Sequence, residues 1–346
     1  KEFYMSKETS KLASVFKQLK KDFDVEPVDL NKIQDIPRWK ISYPSLSYLL
    51  GGGLPKGRII EIYGQESGGK SLMSTLMASD VQKQGGTVVY IDMECSFSVK
   101  FAEQLGLNCS DNFILLQPKT GEDVFNIIRK VAETGEVALI IVDSVSAMVP
   151  RAELEGDVGD AFMGLQARML GQGLRMITGV LNQTGTTTVF VNQIRESMAM
   201  YGPKTVTSGG KALRFYASVR MEVSRKENIG PAEKVTGIIS KIKTTKNKTA
   251  PPFRVQEITI DFKKGVDLYM EYVNFGIMYT FITRAGAWYT YEGLKAQGRE
   301  GLVEELKKND DLFAKLKISV DNQLLCDTSS DEAIIDEEDE TVVGDE

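Results

Sequence analysis

Apolar residues Leu12, Val15, Phe16, Leu19 and Phe23 recur at steps of three and four between residues 7 and 24, which puts them on one face of a short, lysine-flanked helix. Periodicity fixes a face but not its target, so this helix docks either on its own core or on a neighbouring protomer. Residues 25–44 hold three prolines and little periodicity and read as a connector. From Arg58 onward the pattern alternates. Continuous β-branched runs at 59–63, 87–92, 113–117, 137–143 and 187–192 are separated by helix-length segments at 72–83, 99–105, 122–134 and 164–181. Apolar strands interleaved with helices predict an α/β fold, a mostly parallel sheet between helices. Strands at 217–224, 237–244 and 255–262 follow with short connections, which predicts an antiparallel extension of that sheet. A smaller mixed region runs from 268 to 325, and the remaining residues are too acidic and too poor in aromatics to fold.

Composition narrows the chemistry. Among 346 residues there is no histidine, which excludes Ser-His-Asp and Cys-His hydrolysis and His-ligated zinc. Cys95, Cys109 and Cys326 are too widely and irregularly spaced for a metal knuckle or a disulfide framework, and free thiols fit a reducing cytoplasm. Residues 1–11 lack the apolar centre of a signal peptide, and no run reaches the roughly 18 apolar residues of a membrane span. The net charge of −6 is a property of one end: residues 327–346 carry ten acids and no base, which leaves 42 basic against 38 acidic residues elsewhere. Residues 204–264 alone hold fourteen basic and five acidic residues, an excess suited to phosphate binding.

Gly64-Gln65-Glu66-Ser67-Gly68-Gly69-Lys70-Ser71 fits G-x-x-x-x-G-K-[ST] and lies between a strand and a helix, the context that motif needs. Its glycines let backbone N–H groups converge on phosphate, Lys70 reaches the β- and γ-phosphates, and the Ser71 hydroxyl ligates Mg²⁺. The apolar strand ending in Asp143 supplies the second Mg²⁺-organising carboxylate, so ATP and Mg²⁺ are the expected cofactors. Without histidine, the base that activates water must be a carboxylate at a strand end. Glu94 is the first choice because it lies further past its strand than Asp92, which competes as a structural or capping group. Asn192-Gln193, at the end of another strand, places an amide where it can sense a γ-phosphate.

These segments resemble the bacterial RecA recombinase family. The resemblance is carried by residues 64–71, Tyr90-Ile91-Asp92-Met93-Glu94, 142–145, 153–160, 191–195, 208–220, 246–253 and 285–291, in order over nearly the whole chain. It implies a RecA-type P-loop NTPase core with an N-terminal polymerisation helix, a small α+β C-terminal domain and a disordered acidic tail. The implied domains are a docking arm at 1–32, an ATPase and DNA-binding core at 33–267, a duplex-gathering domain at 268–325 and the tail at 326–346. The implied activity is DNA-stimulated ATP hydrolysis coupled to strand exchange, in a homo-oligomeric helical filament on single-stranded DNA that pairs with double-stranded DNA. Mediator or repressor proteins are further implied partners.

The resemblance makes Glu94 the activator of water and Gln193 the γ-phosphate sensor. It also casts Lys246 and Lys248 as lysines that reach the neighbouring protomer's phosphates, against the plain alternative of a solvated basic strand end. Residues 155–162 and 194–209 resemble the two DNA-binding loops. Arg168, Arg195, Met198, Met200, Tyr201, Gly209, Gly210 and Lys211 are then the DNA-binding candidates, mixing charge for phosphates with groups that wedge between bases. Trp288 and Tyr291 serve either duplex binding or the core of the small domain. The chain also departs from the pattern: Cys95 replaces a frequent His, and Ser98 and Phe101 replace an Asp and a Tyr that usually hold adenine, with Phe101 and Phe262 left to cover the base. It reads as a diverged member.

Overall fold

The computed structural model describes residues 11–23, 35–157, 162, 164–196, 205–231 and 233–329. Two units divide the chain, residues 1–37 and 38–346. In the first, helix α1 (Lys11–Phe23) realises the predicted amphipathic segment. Val15, Phe16 and Phe23 on it are exposed, Phe23 at 70%. A thirteen-residue helix is marginal in water by itself.

The second unit opens with β1 (Arg38–Trp39), α2 (Pro44–Leu50) and β2 (Leu54–Pro55); β1 pairs antiparallel with β2. The expected connector at 25–44 is therefore wrong in its last part. Proline disfavours the interior of a helix but suits its first turn, and Pro44 starts α2 rather than ending an element. Then follow β3 (Ile59–Gly64), α3 (Lys70–Lys83), β4 (Thr87–Asp92), α4 (Val99–Gln104), β5 (Phe113–Leu116), α5 (Gly121–Glu133) and β6 (Val137–Asp143). After a short 3₁₀ turn come α6 (Arg151–Leu154), α7 (Leu165–Thr184), β7 (Thr187–Glu196), β8 (Thr205–Thr207), α8 (Ala212–Tyr216), β9 (Val219–Ile229), β10 (Gly237–Asn247), β11 (Val255–Asp261) and β12 (Gly265–Val266).

The main sheet runs β12-β11-β10-β9-β3-β7-β6-β4-β5, with β8 paired to β7. Strands β9 to β5 are parallel, while β10, β11 and β12 run antiparallel to their neighbours. The expected antiparallel extension thus begins one strand later than predicted, because β9 follows a crossover from β7 and joins β3 in parallel. Successive residues of each strand face opposite sides. Ile60, Ile62, Val88, Tyr90 and Ile141 join one apolar cluster with Leu72, Met73 and Leu76 of α3. Ile59, Val89, Ile91, Ile140 and Val142 join another with Phe125 of α5 and Leu174 of α7.

The small region comprises α9 (Leu268–Met278), the antiparallel sheet β13 (Thr283–Ala285), β14 (Trp288–Tyr291) and β15 (Leu294–Gln297), and helices α10 (Gly298–Leu306) and α11 (Asp310–Ser329). Tyr289 and Tyr291 are buried in its core, whereas Trp288 is 44% exposed. Helix α11 corrects the tail boundary: it continues past residue 325 to Ser329. Asp327 is held by the Tyr279 hydroxyl at 2.6 Å, and its carbonyl accepts from Arg254 at 3.1 Å. Local acidity suggested disorder, but packing against the domain offsets it.

Candidate functional site

Parallel strands bring their carboxyl ends to one edge, where ligands of open α/β sheets bind. Register aligns the candidates there: Gly64 lies opposite Gln193, and Asp92 opposite Asp143. The loop from Gly64 to Gly69 turns sharply, with Ser67 at φ 56° and Gly69 at φ 96°. A side chain at Gly64 would put its Cβ 1.9 Å from the Val223 carbonyl oxygen, so only glycine lets β3 leave the sheet there. Lys70, the first residue of α3, donates to the carbonyls of Gln65 at 2.6 Å and Gly64 at 3.1 Å. Gln65, Glu66 and Ser67 stand exposed around it and Gly68 is buried.

Burial lowers the Lys70 pKa, opposed by the negative charges of Asp143, Glu66 and Glu94. Burial raises that of Asp143, opposed by hydrogen bonds from Ser71 and Tyr90. Burial thus disfavours the charged form of both groups, a cost that a phosphate and a divalent cation would relieve. The hard oxygens of Ser71 and Asp143 fit Mg²⁺, which takes one or two protein ligands and completes its shell with phosphate and water. No group of three or more His, Cys, Asp or Glu side chains arranged for a metal occurs among the described residues.

Glu94 and Asp92 separate clearly. Asp92 is 1% exposed and accepts from the backbone N–H groups of Glu94 (3.2 Å), Ser96 (3.2 Å) and Phe97 (3.0 Å) and from the Gln117 amide (3.1 Å). It shapes the loop after β4. Glu94 stands exposed on that loop, accepts a short hydrogen bond from the Ser144 hydroxyl, and accepts from the Gln193 amide at 3.3 Å. Asn192 and Gln193, paired by position at the end of one strand and separated only by the family resemblance, also part: Asn192 is fully buried, and Gln193 is half-buried and faces Glu94.

Several contributors escape sequence reasoning. Tyr90 donates to Asp143 at 2.7 Å, and burial followed by the Asp143 charge holds its own pKa far above the ordinary value. Sequence places it within a motif but gives it no role of its own. Ser144, next to Asp143 in sequence, gives no sign that it reaches Glu94.

Phe101 on α4 is half-buried against the sheet, and Ser98 is spent capping α4 by accepting from the Phe101 N–H at 3.3 Å. Phe262, just past β11, is 48% exposed. Lys246 lies opposite Arg220, which lies opposite Glu61, three residues short of Gly64. At about 3.3 Å per residue that is roughly 10 Å back from the carboxyl edge. Within its own chain Lys246 donates to the carbonyls of Arg214 (2.8 Å) and Phe215 (3.0 Å), and burial lowers its pKa with help from Lys248 and Arg220. Lys248 is exposed.

Of the DNA-binding candidates, Arg195 is exposed on β7, Arg168 is exposed in the first turn of α7, and Lys211 is exposed before α8. Gly209 and Gly210 adopt φ 78° and 76° against α7; a Cβ at 209 would fall 1.9 Å from Leu170 and one at 210 would fall 3.0 Å from Ala167. Arg168 and the 209–211 turn therefore share one surface. Met198, Met200 and Tyr201 lie outside the described residues.

A glycine-rich turn between a strand and a helix, a strand-end aspartate beside it and a carboxylate in contact with an amide on β7 define a P-loop ATPase. Among such ATPases the chain belongs to the RecA family. The RecA N-terminal domain model matches residues 11–267 and the RecA C-terminal domain model residues 270–325. Protein RecA of Listeria monocytogenes (strain 10403S) is 39% identical over 344 residues, 98% of each chain. Protein RecA of Bacillus pumilus is 38% identical over 344 residues, 96% of this chain and 98% of its own. Protein RecA of Streptomyces ambofaciens is 42% identical over 283 residues, 81% of this chain and 76% of its own.

Proposed function

We propose that this chain is an ATP-dependent homologous recombination protein that polymerises on single-stranded DNA, pairs it with homologous duplex and exchanges strands, with DNA-stimulated ATP hydrolysis. The observation that carries it is the 3.3 Å contact of Gln193 with Glu94, because β7 runs from that contact to Arg195 and pairs with β8, which leads to the 209–211 turn. The backbone of residues 64–69 and Lys70 would hold the phosphates, and Ser71 and Asp143 would hold Mg²⁺, which when bound supplies positive charge against the phosphoryl group. Glu94 orients and deprotonates the attacking water, with Ser144 and Gln193 fixing its carboxylate. Gln193 senses the γ-phosphate. Phe101 and Phe262 cover the base.

Lys246 and Lys248 act on the neighbour's nucleotide in the manner of a finger in trans. Their distance from their own chain's carboxyl edge supports that role. The exposed face of α1 docks on the adjacent protomer, so residues 1–32 form the arm, 33–267 the core and 268–325 the domain that gathers duplex. Arg168, Arg195, Gly209, Gly210 and Lys211, with Met198, Met200 and Tyr201, bind single-stranded DNA. Filament-bound mediator or repressor proteins and association with the nucleoid belong to the same reading. Negative-stain imaging with single-stranded DNA and a slowly hydrolysed ATP analogue tests it: helical filaments are expected, and closed rings or no DNA-dependent assembly would overturn it.

A further inference from the structure

Taking the chain as the nucleotide-gated DNA-binding ATPase proposed above, on which this rests, we infer that Glu61 is a positioning residue that couples the nucleotide edge to the second DNA-binding loop through one buried polar cluster. Glu61 sits in the middle of β3, fully buried, between the two strands that flank it. From β7, the Asn192 amide donates to one carboxylate oxygen at 3.0 Å. From β9, the Arg220 guanidinium donates to the other at 2.5 Å. A single carboxylate thus ties three adjacent strands through side chains as well as through the ladder.

Asn192 is the clasp of the loop. Its second amide hydrogen bond goes to the Ser208 carbonyl at 3.2 Å, and the Ser208 N–H donates to the Gln193 carbonyl at 3.2 Å. These bonds close the two ends of the 194–207 hairpin on the same amide that Glu61 orients. Rotation of Asn192 would move Gln193, which touches Glu94, and Ser208, which precedes the Gly209–Gly210 turn. Among the described residues the buried Ser208 hydroxyl has no hydrogen-bond partner, so this loop end has a polar group still to satisfy, as a position with a second arrangement would.

Arg220 extends the cluster in the other direction. Its guanidinium lies 4.3 Å from the Tyr63 ring centre, and Tyr63 hydrogen-bonds Thr245 of β10 at 2.9 Å. It also faces Lys246 in register and helps lower that lysine's pKa. Three fully or nearly buried polar side chains, Glu61, Asn192 and Arg220, therefore connect the loop root to the strand that carries Lys246. None of them lies on the P-loop. A buried, satisfied network of this kind favours one arrangement and resists intermediate ones.

The test uses the full chain and a fluorescent oligo-dT, measuring its Kd with the slowly hydrolysed ATP analogue and with ADP. The Kd with ADP divided by the Kd with the analogue is the coupling. Asn192→Leu keeps volume and leaves the Glu61–Arg220 pair intact; it should lower the ratio at least tenfold while the analogue's affinity without DNA changes less than twofold. The double variant Glu61→Gln/Arg220→Met removes the buried charges together, so it should fold and still show the loss, whereas a merely structural role would leave the ratio of folded protein unmoved. A ratio within twofold of wild type in either folded variant overturns the assignment. A wild-type ratio of one instead defeats the proposed function, and the coupling with it.

Discussion

Two carboxylates two positions apart have opposite fates because one points into the fold and the other out of it. Asp92 spends its oxygens on four N–H donors, and Glu94 stands exposed, with one oxygen accepting from both Ser144 and Gln193. Glu94→Gln should lower DNA-stimulated hydrolysis by about 10²–10⁴-fold and keep ATP-dependent DNA binding, measured by phosphate release and anisotropy. Asp92→Asn should instead cost about 1–3 kcal/mol of stability in urea denaturation, because an amide cannot accept from all four donors. A third carboxylate, Glu271, is completely buried on α9, where burial, with a smaller push from Asp267, raises its pKa to about 7 against the bonds it accepts from Ser45. The folded state therefore holds a proton that the unfolded chain releases near pH 4.5, and stability falls as pH rises from there to about 7. Glu271→Gln should remove that fall, a gain on the order of 3 kcal/mol at pH 8 by about 1.4 kcal/mol per pKa unit, read by urea titrations of both proteins at pH 5 and pH 8.

At the scale of elements, the site depends on how closely helices approach the sheet. Helix α7 leads from the Arg168 surface, and its Gly173 lies against the Phe125 ring of α5: an added Cβ would fall 2.3 Å from it. Phe125 is 2% exposed and packed in the cluster under β6 and β7, so it has no room to withdraw. Gly173→Ala should destabilise the protein by about 1–3 kcal/mol through overpacking, even though alanine favours helix, as thermal denaturation would report. Nucleotide affinity at low temperature should stay near wild type, since α3 and the P-loop pack on the opposite face.

For the molecule as a whole, the charge is divided between a basic body and an acidic end. Among the described residues no helix is long and apolar enough to cross a membrane. Asp327 belongs to the folded domain through Tyr279 and Arg254, so the candidate regulator is the stretch after Ser329, which carries nine acids. Truncation after Ser329 should tighten duplex DNA binding several-fold at low salt, with the difference shrinking as salt or Mg²⁺ rises, in a filter-binding titration. Equal affinities across the salt series would remove the tail from the regulation of DNA access. Truncation after Cys326 would also cut α11, and its effect would mix stability with charge.

The sequence by itself determined the alternation of the longer strands and helices of the main sheet, the P-loop, Asp143 and the sign of the charge in each region, because these follow from local periodicity and from short motifs with fixed chemistry. It also carried the family resemblance that assigned the loops and lysines. Tertiary structure alone decided what holds Asp92 and Asn192, which hydroxyl and amide meet Glu94, and where the tail begins. Each of those depends on hydrogen bonds between residues far apart in the chain, such as Gln117 with Asp92, Asn192 with Glu61 and Tyr279 with Asp327. A carboxylate or amide looks the same in sequence whether its partners are water or a buried N–H, and only the fold brings those partners within 3 Å or so.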